Sequence, residues 1–179
     1  NYYLAQENEV LTLDYDALYE RVLAETNYMT YIEIKDLLAL TDYYPTDTHW
    51  RQECIGDVAE RIGEGMNIPV QSLKQNASGY KIQILDIPFY GVYYGQAALP
   101  VKPDTIRYLT NEAIENCIVT SYDTGKPVVK AVYDVDKAAG KDAYELFLTG
   151  ANALLTIENP TAATEKELIV FRDSFGSSL

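Results

Sequence analysis

The sequence predicts an α/β fold in which a sheet with flanking helices carries an inserted antiparallel β hairpin. Three observations lead there. Helical and strand patterns alternate near both ends of the chain, and the middle is β-rich around a glycine-containing turn. A continuous apolar run, Leu168 to Phe171, is followed at once by polar residues, as at the end of a buried strand.

Taken in order, "LDYDALYERVLAET" puts Leu18, Val22 and Leu23 at helical spacing, with Asp14 or Asp16 available as a cap. "MTYIEIKDLLAL" predicts a short strand around Tyr31 to Ile34 and then one helical turn. From Trp50 the stripe Trp50, Cys54, Ile55, Val58, Ala59 and Ile62 predicts a helix, with Gly63, Gly65 and Pro69 as stop signals. "YKIQILDI" alternates as a strand does, whereas "PFYGVYYGQAALP", rich in Gly and Tyr, suits a loop or irregular lobe. "ENCIVTSYDTGKPVVKAVYDV" predicts a hairpin, two β-rich arms around Asp123-Thr124-Gly125-Lys126. "GKDAYELFL" suits a short helix. "ALLTIEN" and "ELIVFRD" suit short strands split by the loop "PTAATEK".

The bulk numbers restrict function. The 179 residues are 47% hydrophobic and 23% charged, enough for one domain with a real core. A formal net charge of −13 with no basic cluster disfavours nucleic acid and anionic lipid as main partners. Sixteen tyrosines suit either strand formation or a surface that handles sugars, since each ring has an apolar face and a hydroxyl. Cys54 and Cys117 are too few for a disulfide framework and fit two buried free thiols better than a bridge. Neither has a Cys or His at metal-ligand spacing, and Asp134 and Asp136 lack the glutamate of a calcium loop. Asn76 in "NAS" is a formal glycosylation acceptor. The chain begins without Met and ends abruptly after "DSFGSSL", so it is expected to be a piece of a longer one, incomplete at both ends.

Two stretches carry chemistry. "YYPTDTHW", residues 43–50, contains the single histidine and the single tryptophan. On an extended backbone, side chains two apart point the same way, so Asp47 can reach a ring nitrogen of His49 and fix its tautomer. Pro45 keeps Tyr44 out of helical geometry and delays the helix. Asp47 or Thr48 equally suits a plain helix cap, and His49 a half-buried surface position. In "LIVFRDSFGSSL", Ser174 follows an apolar run at a strand-to-helix turn, where backbone N–H groups favour developing negative charge. It is a candidate nucleophile, with its own N–H as one oxyanion donor; Asp173 or Ser174 also suits a helix start. "TGAN" offers the Gly150 backbone and the Asn152 side chain as a second donor, although both residues also simply make turns.

Together "YYPTDTHW" and "LIVFRDSFGSSL" resemble the bacterial DHHW protein family, related to the alginate O-acetylation proteins with their SGNH-hydrolase-like domain. "NYYLA", "MTYIEIKDLLAL", "FYGVYYGQAA", "KPDTI" and "LTGANALLTI" resemble it in the same order, so the likeness covers nearly the whole chain. It implies one SGNH-hydrolase-like (flavodoxin-like) domain over 1–179, with the β-rich insertion over about 80–135. It also implies a Ser-His-Asp arrangement, Ser174 as nucleophile, His49 as base and Asp47 behind it. Thr48 stands at the second position of the Asp-His-His-Trp of the family name, in place of its first histidine, and Arg172 where SGNH hydrolases carry the glycine of Gly-Asp-Ser.

The expected activity is acyl transfer or ester hydrolysis at a hydroxyl of a cell-surface or extracellular polysaccharide, with no cofactor and no metal. The expected partners are a carbohydrate polymer and an acyl donor, and the expected location is extracytoplasmic. Tyr43, Tyr44, Tyr90, Tyr93, Tyr94 and Arg172 are the candidates for the substrate side. The alternative is a non-catalytic surface module that binds glycan or protein on the same fold, which Arg172 favours.

Overall fold

The computed structural model describes residues 13–68, 79–98, 100–163 and 165–179. The first helix, α1 (Tyr15–Glu25), starts where Asp14 accepts the N–H of Ala17 at 3.0 Å. Leu18, Val22 and Leu23 are all exposed, so the stripe predicted the helix correctly but covers no core. Tyr31 to Ile34 form no strand. Glu33 instead accepts the N–H of Lys35 at 2.8 Å, and the chain enters a 3-10 turn, Lys35–Leu37. No described strand lies beside Tyr31 to Ile34 to complete a ladder.

The stripe that begins at Trp50 is divided between a 3-10 turn, Gln52–Cys54, and helix α2 (Gly56–Gly65), in which Val58 is buried. Pro69 and Asn76 lie outside the described residues. Strands β1 (Lys81–Phe89) and β2 (Asp104–Thr110) form an antiparallel pair, in register from Lys81 with Thr110 to Ile84 with Arg107. The ladder resumes out of step at Pro88 with Thr105, where proline has no N–H to donate. Between these strands, the tyrosine-rich segment contains helix α3 (Val92–Ala97) where the sequence predicts a loop or irregular lobe. After α4 (Glu112–Glu115) comes the predicted hairpin, β3 (Ile118–Ser121) and β4 (Val128–Lys130), turning through Gly125 at φ +74°. Helix α5 (Val135–Ala138) and a 3-10 turn, Ala143–Leu146, lead to β5 (Leu155–Glu158) on the other side of β3.

The result is a mixed α/β chain with two small antiparallel sheets, β1-β2 and β4-β3-β5. The open parallel sheet of an SGNH-hydrolase-like domain is not among the described elements. Nor do Leu168 to Phe171 form a buried strand. Phe171 is 96% exposed, because no described strand lies beside the run to complete a ladder.

The core joins Leu85 and Phe89 of β1 and Ile106 of β2 to Tyr144, Leu146 and Phe147. Tyr44 enters it from the histidine loop, its ring edge-on to Phe89 at 5.1 Å. That insertion helps to seat residues 43–50 on the core.

Candidate active site

Residues 43–50 fold into a tight loop instead of an extended run. Tyr43 and Trp50 bridge antiparallel at its mouth, the N–H of Tyr44 donates to His49 O, and that of Asp47 donates to Tyr44 O. The turn folds the Asp47 carboxylate back over His49, so Oδ1 accepts the backbone N–H at 3.0 Å and faces Nδ1 at 2.5 Å. Its other oxygen, Oδ2, accepts the N–H of Val92 at 2.9 Å, at the start of α3.

Thr46 ties the same loop down. Its N–H and hydroxyl both donate to Asp104 Oδ2 at 2.7 Å, while its Oγ1 accepts the N–H of Gly91 at 3.1 Å. Gly91 is required by space: a Cβ there would lie 2.3 Å from both Asp47 Cβ and Thr46 O.

Ser174 opens a 3-10 turn, Phe175–Ser177, which Asp173 caps by accepting the N–H of Phe175 at 3.0 Å. Three contacts hold the turn in place. The Phe175 ring packs on His49 at 5.0 Å and edge-on to Trp50 at 5.3 Å. The hydroxyl of Tyr144 donates to Ser178 Oγ at 2.7 Å. Gln52 donates to Ser178 O at 3.0 Å while its own oxygen accepts from Leu109 N–H and the Tyr133 hydroxyl. The outcome is that Ser174 Oγ lies 2.8 Å from His49 Nε2, across 125 positions of sequence.

Asp47 is 5% exposed, and burial pushes its carboxyl up. Hydrogen bonds from the His49 ring, Val92 N–H and His49 N–H outweigh that and hold it below the usual carboxylate range. With Asp47 ionised, Nδ1 of His49 carries the proton and Nε2 is left to accept from the Ser174 hydroxyl. The imidazole lies flat on Tyr144, with ring centroids 4.0 Å apart and planes 17° apart. Burial raises the pKa of the Tyr144 hydroxyl, so the phenol beneath the imidazole stays neutral.

Beside this line lies a cavity of about 580 Å³, bordered by Asp47, His49, Tyr90, Tyr93, Tyr94 and Lys141 among others. Ser174 is not in its lining; its hydroxyl is exposed at the cavity's margin with His49. Of the tyrosines predicted for the substrate side, Tyr90, Tyr93 and Tyr94 border this space. Tyr43 is half-buried at the bridge with Trp50. Tyr44 is 3% exposed and belongs to the core, where its apolar face replaces a ligand contact.

Arg172 is not on the substrate side either. Its guanidinium donates to Asp173 O and to Ser177 Oγ, bracing the serine turn. The suggested second oxyanion donors are committed elsewhere. Gly150 N–H donates to Phe147 O, and the Asn152 amide donates to Leu148 O and Gly150 O. These bonds close a turn in which Gly150 has φ +81°, so turn formation accounts for both residue types.

Cys54 and Cys117 are free and half-buried, and burial raises both thiol pKa values. Among the described residues no cluster of His, Cys, Asp and Glu is suited to hold a metal, and no helix is long and apolar enough to cross a membrane. Thr46, Gln52, Gly91, Asp104, Tyr144 and Phe175 escaped sequence reasoning. Of these Thr46, Gly91 and Phe175 lie next to the candidates Asp47, Tyr90 and Ser174, whereas Gln52, Asp104 and Tyr144 had no local signal.

The chain matches no family model and no curated protein. Among solved structures it is similar to a DHHW family protein from Eubacterium siraeum, with a TM-score of 0.56 and 22% identity. The match covers 76% of this chain and 45% of that protein, so the chain spans less than half of its length. At this identity the likeness is one of fold.

Proposed function

We propose that the chain carries the centre of a serine-dependent acyl transferase or esterase acting on hydroxyl groups of a cell-surface or extracellular polysaccharide. The observation behind this is the single imidazole standing 2.8 Å from Ser174 Oγ and 2.5 Å from Asp47 Oδ1. In this reading His49 Nε2 takes the proton of Ser174 as its oxygen attacks an acyl carbonyl, and Asp47 stabilises the imidazolium that forms. Ser174 N–H offers hydrogen-bonding stabilisation to the developing oxyanion. His49 then returns the proton to the leaving alcohol. A sugar hydroxyl or water repeats the sequence on the acyl-enzyme and frees Ser174.

The reading also assigns the chain to the DHHW family and its SGNH-hydrolase-like relatives, among them the alginate O-acetylation proteins, working outside the cytoplasm. Its support is the fold shared with the Eubacterium siraeum protein and the order of the motifs along the chain. A glycan-binding module without catalysis is the second reading, favoured by Ser174 standing outside the cavity lining.

The test is acetate release from 4-nitrophenyl acetate by the full-length protein and its Ser174→Ala variant. A Ser174-dependent rate supports the enzyme; equal background rates for both select the second reading.

A further inference from the structure

We propose that the cavity beside His49 is a binding site for one uncharged sugar ring, which packs on Tyr90 and Tyr94 and is held in fixed register with the imidazole by the Asp47–Val92 hydrogen bond. It rests on the acyl-transfer reading for its role, as the seat of the hydroxyl-bearing acceptor, but not for its existence.

The lining has the chemistry of such a site. Tyr90 and Tyr94 present two rings 4.6 Å apart and inclined at 57°, which form an angled apolar wall. Tyr90 is 49% exposed and Tyr93 is 47% exposed, whereas Tyr44 and Tyr144 are packed into the core. The cavity thus has tyrosine rings that are accessible to a ligand, Tyr90 and Tyr93 exposed and Tyr94 half-buried. The faces of a sugar ring carry C–H groups that suit an aromatic wall, and its hydroxyls need donors and acceptors at the edge. Gln96, Lys141 and Asp142 supply them. The Lys141 ammonium and the Asp142 carboxylate at that edge offset one another, and with Asp47 ionised and engaged by His49 and Val92 the lining has no spare positive charge, so it disfavours an anionic ligand and suits an uncharged one. A volume of about 580 Å³ falls within the range of about 300–1,000 Å³ usual for small-molecule sites.

The register comes from the start of α3. Three successive N–H groups, of Gly91, Val92 and Tyr93, are all accepted by the loop that carries His49: by Thr46 Oγ1, Asp47 Oδ2 and Thr46 O. Tyr90 immediately precedes this triple attachment and Tyr94 immediately follows it. The backbone that carries Tyr90 and Tyr94 is therefore tied to the histidine loop by three hydrogen bonds, two of them to buried side chains of that loop.

Binding is measured in the full-length Ser174→Ala protein, which separates it from turnover. Cellotetraose, xylotetraose and chitotetraose are titrated calorimetrically. Saturable binding of at least one is expected, weakened tenfold or more by Tyr90→Ala with Tyr94→Ala, and recovered to within threefold by Tyr90→Phe with Tyr94→Phe. No binding by any of the three, or binding unchanged in the alanine pair, overturns the proposal. Binding that behaves as expected in a protein whose wild type releases no acetate leaves the sugar site standing and removes the acyl-transfer reading alone.

Discussion

The carboxylate of Asp47 accepts the N–H of Val92 at 2.9 Å through the oxygen that His49 does not use. One buried group thus orients the imidazole on one side and seats helix α3 on the other. Changes at either partner should reach both the Asp47–His49–Ser174 line and the tyrosine wall.

Asp47→Asn keeps the shape but loses the charge. An amide facing His49 can present N–H to Nδ1, which shifts the ring proton to Nε2 and leaves nothing to accept from Ser174. We expect kcat on an aryl acetate to fall by about 10⁴-fold. A fall of less than tenfold would show that Asp47 serves the loop alone.

The same carboxylate links stability to pH. Its folded pKa is depressed, so its contribution is fully present above the unfolded carboxyl value of about 3.9. That contribution is lost as pH falls from there through the lower folded value. Thermal melts of wild type and Asp47→Asn should therefore differ most above about pH 5 and converge as the solution is acidified below about pH 4. Curves that remain parallel throughout would contradict the assignment.

Gly91→Ala places a methyl group 2.3 Å from Thr46 O and Asp47 Cβ. Because φ is −72°, the conflict is one of space and not of backbone conformation. A loss of about 1–3 kcal/mol is expected in chemical denaturation, together with a weaker Asp47–Val92 contact, visible as faster exchange of the Val92 amide.

Phe175→Ala removes the ring that holds the serine turn against His49 and Trp50. We expect about 1–3 kcal/mol of destabilisation. A displacement of Ser174 by about 1 Å would lower kcat by about 10²-fold, with KM changing far less. Unchanged kcat in a folded variant would place the turn under the control of Gln52 and Tyr144.

Asp47, His49 and Ser174 were legible as candidates from local pattern, but that they meet was implied only by the resemblance to the DHHW family. Asp47 and His49 are two apart, and Ser174 follows an apolar run. Their supports were not legible, since Gln52, Tyr144 and Asp104 become partners only when distant segments pack. The extended geometry expected for Asp47 and His49 gave way to a turn that brings the same atoms together by another path. Tyr44 shows the limit of residue-type reasoning: the same amphipathic ring suits a ligand wall or a core, and only packing decides. Leu168 to Phe171 show the other limit. An apolar run supplies a strand's side chains, but its backbone needs a neighbour, and among the described residues none is beside it.

The 125-position separation of His49 and Ser174 has a biosynthetic consequence. During translation the imidazole leaves the ribosome long before the hydroxyl exists, and the tight loop around it can form while the alcohol is still unmade. The contact between His49 and Ser174 therefore closes only once residues 174–178 have been made and Phe175 and Ser178 have docked.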